Sequence, residues 1–510
     1  MSKVQETIVS QVLAPDALRR GVILFLIVFF AYHLFRAIFF DRLAKVPSAH
    51  WSCSFSPFWI LWQRYNGNEL KAIREAHQKL GTIVRVGPQD LSISDYQTGV
   101  RQVYNAGFEK PHYFNFYQYY GRVSSCYSKT TLFASKQLKR TTEKMLFERL
   151  VPELQNAANL GQPVELLRLC YAISLDALNC YIFGVSSGPN FTQNPQLLEA
   201  WLNHYENRYC KESFWLQEMP SVARGLQRLG LDVMPRYHYE STEWIENWML
   251  EHCRKAEEVC LKIEQGDEPE IEDFPSVYQQ IRTSMARAKD GKFLGRPLTK
   301  DLIQKSIASE LFDHMCMVFA YMIYYLAQHP EQQDRLRQEV SVLGEHLDDS
   351  EDALPPPDVL QSLDYLQAVI KESLRMRPNS TPLPRITPHD REVSIAGVDG
   401  IPPGTRVNCF QWLLHRNPEV WEQPDSWVPE RWLDADGKER RDMPPLWSFV
   451  TGPRACIGMQ LTYYFFNYML SVMSSNFTFE VARPETYGRH SPGTLEDEIY
   501  VTVKPVVAAL

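Results

Sequence analysis

The sequence of 510 residues lacks two patterns that mark common protein classes. None of its ten cysteines forms a C-x-x-C pair, the spacing of many zinc and redox sites, and ten are too sparse for a disulfide framework in a chain this long. There is also no excess of basic residues, because 53 Lys and Arg stand against 61 Asp and Glu, a net charge of -8. Since phosphate contacts need a basic surface, this balance argues against a nucleic-acid-binding protein.

Internal repeats and low-complexity linkers are also absent from residues 60–510. Apolar residues make up 45% of the chain and charged residues 22%, which excludes a disordered or fibrous protein. Helical periodicity dominates from about 135 to 375. The β-like segments are short and lie at 82–86, 91–94, 393–398 and 405–410. We therefore predict a mainly α fold with small β-sheets, formed by one large domain at 61–510.

One long apolar run is present, at residues 21–40. Twenty helical residues span about 30 Å, the thickness of a bilayer core. A cleaved signal peptide is the alternative, but the run is long for one and no small-residue cleavage site follows it. We predict an N-terminal tail at 1–20, a single transmembrane helix at 21–40 and a proline-containing hinge at 41–60. The rest of the chain then lies on one side of the membrane.

A ten-residue motif near the C-terminus, F-x-x-G-x-R-x-C-x-G, has residue types that suit a haem-thiolate site. The thiolate of Cys456 can be the axial ligand of haem iron. Gly452 and Gly458 let the backbone turn and approach the macrocycle without a Cβ clash. Arg454 is placed to pair with a haem propionate, and Phe449 to pack against the ring.

Together with a second set of motifs, this loop gives the chain a resemblance to the cytochrome P450 family. The segment from Glu372 to Arg375 is similar to the family's E-x-x-R, and Pro429-Glu430-Arg431-Trp432 to its P-E-R-F-like motif. The resemblance implies that Glu372, Arg375 and Arg431 form a buried ionic network with a structural role. It also implies that Arg385, in Pro-Leu-Pro-Arg, reaches a haem propionate.

The resemblance implies the cytochrome P450 fold, haem b ligated by Cys456, and a monooxygenase reaction. One oxygen atom from O₂ would enter an apolar small molecule, with electrons from NADPH through a membrane-bound P450 reductase. The sequence looks most like fungal P450s of secondary-metabolite biosynthesis, anchored in the endoplasmic reticulum membrane with the catalytic domain facing the cytosol. The aromatic residues crowded at 108–120 fall in the family's substrate-lining region, where some line the pocket and others belong to the core.

One motif of the family is missing, the A/G-G-x-D/E-T-T/S string that relays protons over the distal face of the haem. Without gaps, the corresponding positions keep an acid at Asp313 and place His314 where a threonine is expected, which makes these two the candidate catalytic residues. Alternatively, about two helical turns that carry the motif are deleted between Met315 and Cys316.

Because this relay is missing, other reactions stay open. A P450-fold enzyme with redox-neutral or peroxide-dependent chemistry (an isomerase, dehydratase or peroxygenase) needs no proton delivery to dioxygen. A haem-binding protein of low activity is the third possibility. A smaller departure lies at 133–144, where relatives place residues that contact a propionate. Lys139 and Arg140 are the nearest basic candidates there, and ordinary solvated charges are the alternative.

Overall fold

The computed structural model describes most of the chain in two compact units. Described residues are 41–120, 136–287, 292–293, 296–297, 299–308, 315–344, 347, 354–378, 382–456, 458–483 and 498–506, with parts of 20–35. One unit comprises Met1–Pro111 and Pro382–Phe410, and the other His112–Thr381 and Gln411–Leu510.

Helices make up most of the described structure. They are α1 Phe58–Tyr65, α2 Glu69–Leu80, α3 Lys136–Glu143, α4 Val151–Leu160, α5 Leu166–Phe183, α6 Pro195–Arg208, α7 Ser213–Glu218, α8 Pro220–Arg228, α9 Arg236–Glu264, α10 Ser276–Ala286, α11 Lys300–Ala308, α12 Met315–Gln328, α13 Pro330–Val340, α14 Pro357–Gln361, α15 Asp364–Met376, α16 Gln411–His415 and α17 Met459–Asn476. Tyr96–Asn105 and Lys144–Leu150 are π-helical, and short 3₁₀ turns form at His112–Tyr117, Ile271–Asp273, Ser341–Leu343, Pro429–Trp432 and Gly452–Arg454.

The strands are short and form small sheets, as the sequence predicts. They are β1 Ile83–Gly87, β2 Asp90–Ile93, β3 Val164–Glu165, β4 Lys292–Phe293, β5 Arg296–Pro297, β6 Arg385–Ile386, β7 Val393–Ile395, β8 Val398–Ile401, β9 Arg406–Asn408, β10 Phe477–Val481 and β11 Tyr500–Pro505. The first unit holds a sheet in the order β1-β2-β9-β6 and the hairpin β7-β8. The second unit holds the sheet β10-β11-β3 and the hairpin β4-β5. The prediction of a mainly α fold with small β-sheets is confirmed.

The apolar helix α5 lies in the core of the second unit and packs against α12. Its start is capped by the Glu165 carboxylate, which accepts hydrogen bonds from the backbone N–H groups of Leu167 and Arg168. Among the described residues, α5 is also the one helix long and apolar enough to cross a membrane, yet 78% of it is buried inside the protein. It is therefore a core helix.

The predicted membrane anchor at 21–40 lies partly outside the described residues. The described residues between 20 and 35 are helical, and their large apolar side chains, from Ile23 to Phe35, are exposed. The transmembrane helix, and the chain divisions at 1–20, 41–60 and 61–510, stay predictions.

Two glycines that end helices in the second unit differ in what surrounds them. Gly184 ends α5 with φ +88°, and a Cβ there would lie 2.7 Å from the carbonyl carbon of Asp273. Gly161 ends α4 with φ +61°, and a Cβ there would have no atom within 4 Å. Both need a left-handed backbone, but only Gly184 is also fixed by a close backbone approach.

We expect Gly184→Ala to destabilise the protein far more than Gly161→Ala. Each alanine has to adopt a positive φ, which costs about 1–2 kcal/mol at Gly161 and more at Gly184, because its ψ of 157° lies in a region that only glycine populates. At Gly184 the new methyl group also collides with the backbone of Asp273, which adds at least about 2 kcal/mol. Thermal unfolding of both variants, followed by circular dichroism, measures the difference. Equal shifts would show that the close contact is not maintained in solution.

Candidate cofactor-binding site

The ten-residue motif forms a closed loop that leads into α17. The backbone N–H of Cys456 donates to the carbonyl of Phe449 at 2.8 Å, so the two ends of the turn are joined. Val450 and Gly452 have φ of +61° and +79°. Gly452 therefore provides a left-handed turn that favours glycine, whereas Gly458, at φ -77°, has ordinary backbone geometry.

Cys456 differs from the other cysteines in the described part of the chain, because it alone is exposed. Burial raises the pKa of Cys180 to about 12 and that of Cys260 to about 11, so these groups stay protonated. Cys456 precedes Gly458, the N-cap of the 18-residue helix α17. The partial positive charge at a helix N-terminus favours a thiolate, so this position suits an anionic sulfur ligand.

The other predicted residues of this loop include Phe449, Arg454 and Gly458. Phe449 is half-buried and packs against the ring of Tyr463 in α17, with centroids 5.6 Å apart. Arg454 belongs to the 3₁₀ turn Gly452–Arg454, and the structure does not describe its side chain. A Cβ at Gly458 would lie 3.8 Å from the Sγ of Cys456, an ordinary contact. The structure thus brings Phe449, Gly452, Cys456 and Gly458 together in one turn.

Three further predicted residues are not part of this loop. Arg385 belongs to β6, in the first unit, where its buried guanidinium lies 4.8 Å from the ring of Tyr104 and donates to the carbonyl of Pro384 at 3.0 Å. Its contact with a propionate stays a prediction. Asp313 and His314 lie outside the described residues, between α11 and α12.

The basic candidates in α3 form surface ion pairs. Lys139 and Arg140 lie 3.8 Å and 3.2 Å from the carboxylate of Glu143, and the side chain of Arg140 is exposed while that of Lys139 is half-buried. This arrangement is that of solvated charges, the alternative reading of the sequence.

Glu372 in α15 lies at the centre of a buried polar network. Its carboxylate accepts from Nε and Nη2 of Arg375, at 2.9 Å and 2.8 Å, and from Nε of Arg431 at 3.1 Å. The indole of Trp432 and the backbone N–H of Val428 also donate to it, each at 2.9 Å. Neither Glu372 nor Arg375 is accessible to solvent. The structure thus brings together all three residues expected to form an ionic network.

The same arginine also binds the irregular chain that follows α16. Nη1 of Arg375 donates to the carbonyls of His415 and Pro424, at 2.8 Å and 2.7 Å, and Nη2 donates to that of Ser426 at 2.8 Å. A buried ion pair is stable only when hydrogen bonds compensate for lost hydration. Here the compensation comes from backbone groups, so the fold of residues 415–428 and the ion pair depend on each other.

Polar contacts connect this network to residues 447–448, which directly precede the cysteine loop (residues 449–458). The backbone N–H of Trp447 donates to Nε2 of His415 at 3.0 Å. Gln411 donates to the carbonyls of Trp447 and Ser448, and the Ser448 hydroxyl donates to the carbonyl of Leu374 in α15. Sequence reasoning missed Gln411 and His415. Their i,i+4 spacing puts them on one helix face, but that signal is common.

His415 keeps its acceptor role because it stays neutral. Burial, together with the positive charges of Arg375 and Arg416, lowers the pKa of His415 to about 3. The ring is therefore neutral at physiological pH, and the hydrogen bond from Trp447 requires the tautomer in which Nδ1 carries the proton and Nε2 accepts. Protonation would remove this acceptor and add a third positive charge to a buried cluster.

We expect Glu372→Gln to prevent stable folding of the second unit or to lower its thermal midpoint strongly. The substitution leaves Arg375 and Arg431 without their shared carboxylate, and breaking a buried pair in this way costs about 3–5 kcal/mol. The measurement is thermal unfolding, together with the yield of folded protein.

Glu430→Gln is the matched control. This carboxylate is 36% exposed and contacts Tyr365 and Arg335 near the surface. Its loss should change stability by less than about 1 kcal/mol. Similar effects of the two substitutions would contradict a central role for the Glu372 network.

Comparison with known proteins agrees with this geometry. Residues 54–494 match the family described as Cytochrome P450. Human Cytochrome P450 3A7 is 26% identical over 334 residues, 65% of this chain and 62% of that protein. Cytochrome P450 monooxygenase bfoB of Aspergillus brasiliensis is 24% identical over 484 residues, 88% of this chain and 92% of the relative. Cytochrome P450 monooxygenase penB of Penicillium thymicola is 37% identical over 161 residues, 31% of this chain and 34% of the relative.

Proposed function

This chain belongs to the cytochrome P450 family, and we propose that it is a haem-thiolate monooxygenase that inserts one oxygen atom from O₂ into an apolar small molecule. Family membership implies haem b as the cofactor, ligated by a thiolate. The observation that carries the proposal is the position of Cys456. It is exposed and lies in a closed turn at the start of α17. The residues that precede this turn are connected to the Glu372 network by hydrogen bonds through His415.

The residues present fit such a cofactor. Haem, when bound, supplies the dioxygen chemistry, and a thiolate ligand favours cleavage of the O–O bond. The chain would supply the ligand through Cys456 and hold it with the hydrogen bond between Cys456 and Phe449. Gly452 would give the turn its shape, and Arg454 would neutralise a propionate. The Glu372 network would fix residues 415–428 and, through His415, the chain that enters the loop.

We further propose that the electrons come from NADPH through a membrane-bound P450 reductase, and that the reaction belongs to fungal secondary metabolism. Relatives from Aspergillus and Penicillium named as P450 monooxygenases support this context. The exposed apolar side chains of the N-terminal helical segment support attachment to the endoplasmic reticulum membrane. The catalytic domain would then face the cytosol.

A second candidate function is P450-fold chemistry without external electrons. The sequence observation that favours it is the missing distal acid–threonine string, for which only Asp313 and His314 are candidate replacements. An isomerase, dehydratase or peroxygenase would not need that relay, because its substrate or a peroxide already carries the activated oxygen.

The two functions predict different requirements for turnover. The test uses the full-length haem-loaded protein with P450 reductase, NADPH, ¹⁸O₂ and a panel of apolar aromatic and terpenoid compounds. A monooxygenase should consume NADPH in a substrate-dependent way and place one ¹⁸O atom in the product, as mass spectrometry measures. Conversion that persists without NADPH, or that occurs only with a hydroperoxide, would reject the monooxygenase in favour of the second function.

A further inference from the structure

Arg208 is a buried arginine at the C-terminal end of α6. Only 2% of its surface is exposed. Its Nη2 donates to the carbonyls of Phe116 and Gln118, at 3.1 Å and 2.9 Å. The carbonyl of Arg208 itself accepts from Nδ1 of His238 at 2.8 Å, which fixes the end of the helix. The guanidinium is therefore held in one place next to the aromatic segment at 108–120.

Aromatic rings surround the charged group. The Cζ atom of Arg208 lies 4.2 Å from the ring centre of Tyr119, 5.0 Å from that of Tyr209 and 5.2 Å from that of Phe116. Cation–π contacts of this kind stabilise a guanidinium, but they provide no negative charge and no hydrogen-bond acceptor in the plane of the group.

Part of this guanidinium has no hydrogen-bond partner among the described residues. Among the described residues no carboxylate lies within 4 Å of Arg208, and its buried Nε and Nη1 atoms have no acceptor. Other buried arginines in the same unit differ: Arg375 pairs with Glu372, and Arg149 with Asp176 at 3.0 Å. A buried cation with unused donors is unfavourable unless something else supplies the acceptor.

The neighbouring tyrosines cannot supply the missing charge. Burial raises the pKa of Tyr117, Tyr119 and Tyr209, although the charge of Arg208 acts in the opposite direction. Their phenols stay neutral at physiological pH. The partial negative charge at the C-terminus of α6 and the carbonyls of Phe116 and Gln118 offset only part of a full positive charge.

We propose that Arg208, with the rings of Phe116, Tyr119 and Tyr209, recognises a carboxylate on the substrate. The inference rests on the proposed function, and it makes the substrate an apolar molecule that carries one acidic group. The rings would pack against the apolar body of the molecule while the unused N–H groups of Arg208 donate to the carboxylate. Because the guanidinium is enclosed, the segment His112–Tyr117 or the end of α6 has to move when such a molecule enters.

Binding of acids and of their neutral analogues tests this site. The full-length haem-loaded protein, without NADPH, is titrated with acetate, 4-phenylbutyrate and dodecanoate, and with the methyl ester of each. Isothermal titration calorimetry and the haem absorbance report binding independently of turnover. At least one acid should bind about tenfold to a hundredfold more tightly than its ester, the effect expected of a charge-assisted hydrogen bond.

Two variants and one control assign the preference to this residue. Arg208→Gln removes the charge and should abolish the preference for acids. Arg208→Lys keeps the charge but not the planar fork, and should reduce the preference. Arg224→Gln removes an exposed arginine of α8 and should leave the preference unchanged. Circular dichroism and haem content show whether each variant is folded.

The proposal is overturned if the wild-type protein binds no acid more tightly than its ester, a result that needs no variant. It is also overturned if the preference persists in folded Arg208→Gln protein. Failure of the proposed function looks different: acids would bind through Arg208, but no compound would gain oxygen from O₂ with NADPH. Oxygenation of neutral compounds without any preference for acids would instead reject the Arg208 site alone.

Discussion

The buried ion pair between Glu372 and Arg375 is the constraint on which the candidate site depends. Two full charges without access to solvent are stable only if nearly every donor and acceptor is used. Glu372 meets this condition through two arginines, an indole and a backbone N–H, and Arg375 through three carbonyls in addition to the carboxylate. Those partners are distant in sequence from α15, so the network cannot form before residues 415–432 have folded around it.

The cysteine loop depends indirectly on the same buried ion pair. His415 uses its carbonyl for Arg375 and its ring for the backbone of Trp447, so one residue connects the network to the chain that enters the loop. The ring can accept only while it is neutral, and burial, reinforced by the adjacent arginines, keeps it so. Burial and the neighbouring charges thus fix the protonation state of a structural histidine. Arg208 shows the opposite situation: its guanidinium is also buried, but two of its nitrogen atoms have no acceptor among the described residues. The hydrogen bonds of Arg375 hold the fold together, whereas the remaining donors of Arg208 are the basis for the proposed ligand site.

The sequence predicts the parts of this protein that are encoded locally. The β pair around Gly87 and the largely helical middle of the chain follow from periodicity and turn residues, and both are present. Glu372, Arg375 and Arg431 could be chosen because two short motifs identify them together. Gln411, His415 and Arg208 belong to no such motif, and their roles arise from contacts with residues 32 to 92 positions away in the sequence. The close approach of Asp273 to Gly184 cannot be predicted from the sequence for the same reason, because the two residues are far apart along the chain. The distal residues Asp313 and His314 remain sequence predictions.

The most direct test of the account is the electron paramagnetic resonance spectrum of the haem-loaded full-length protein in its ferric state. We expect a thiolate-ligated iron signal in the wild-type protein and its loss in Cys456→Ser, because Cys456 is the exposed cysteine at the start of α17. Cys210→Ser is the control, since Cys210 is partly accessible but lies just after the C-cap of α6, and the signal should survive there. A thiolate signal that persists in Cys456→Ser would contradict the assignment of the ligand, and with it the proposed site.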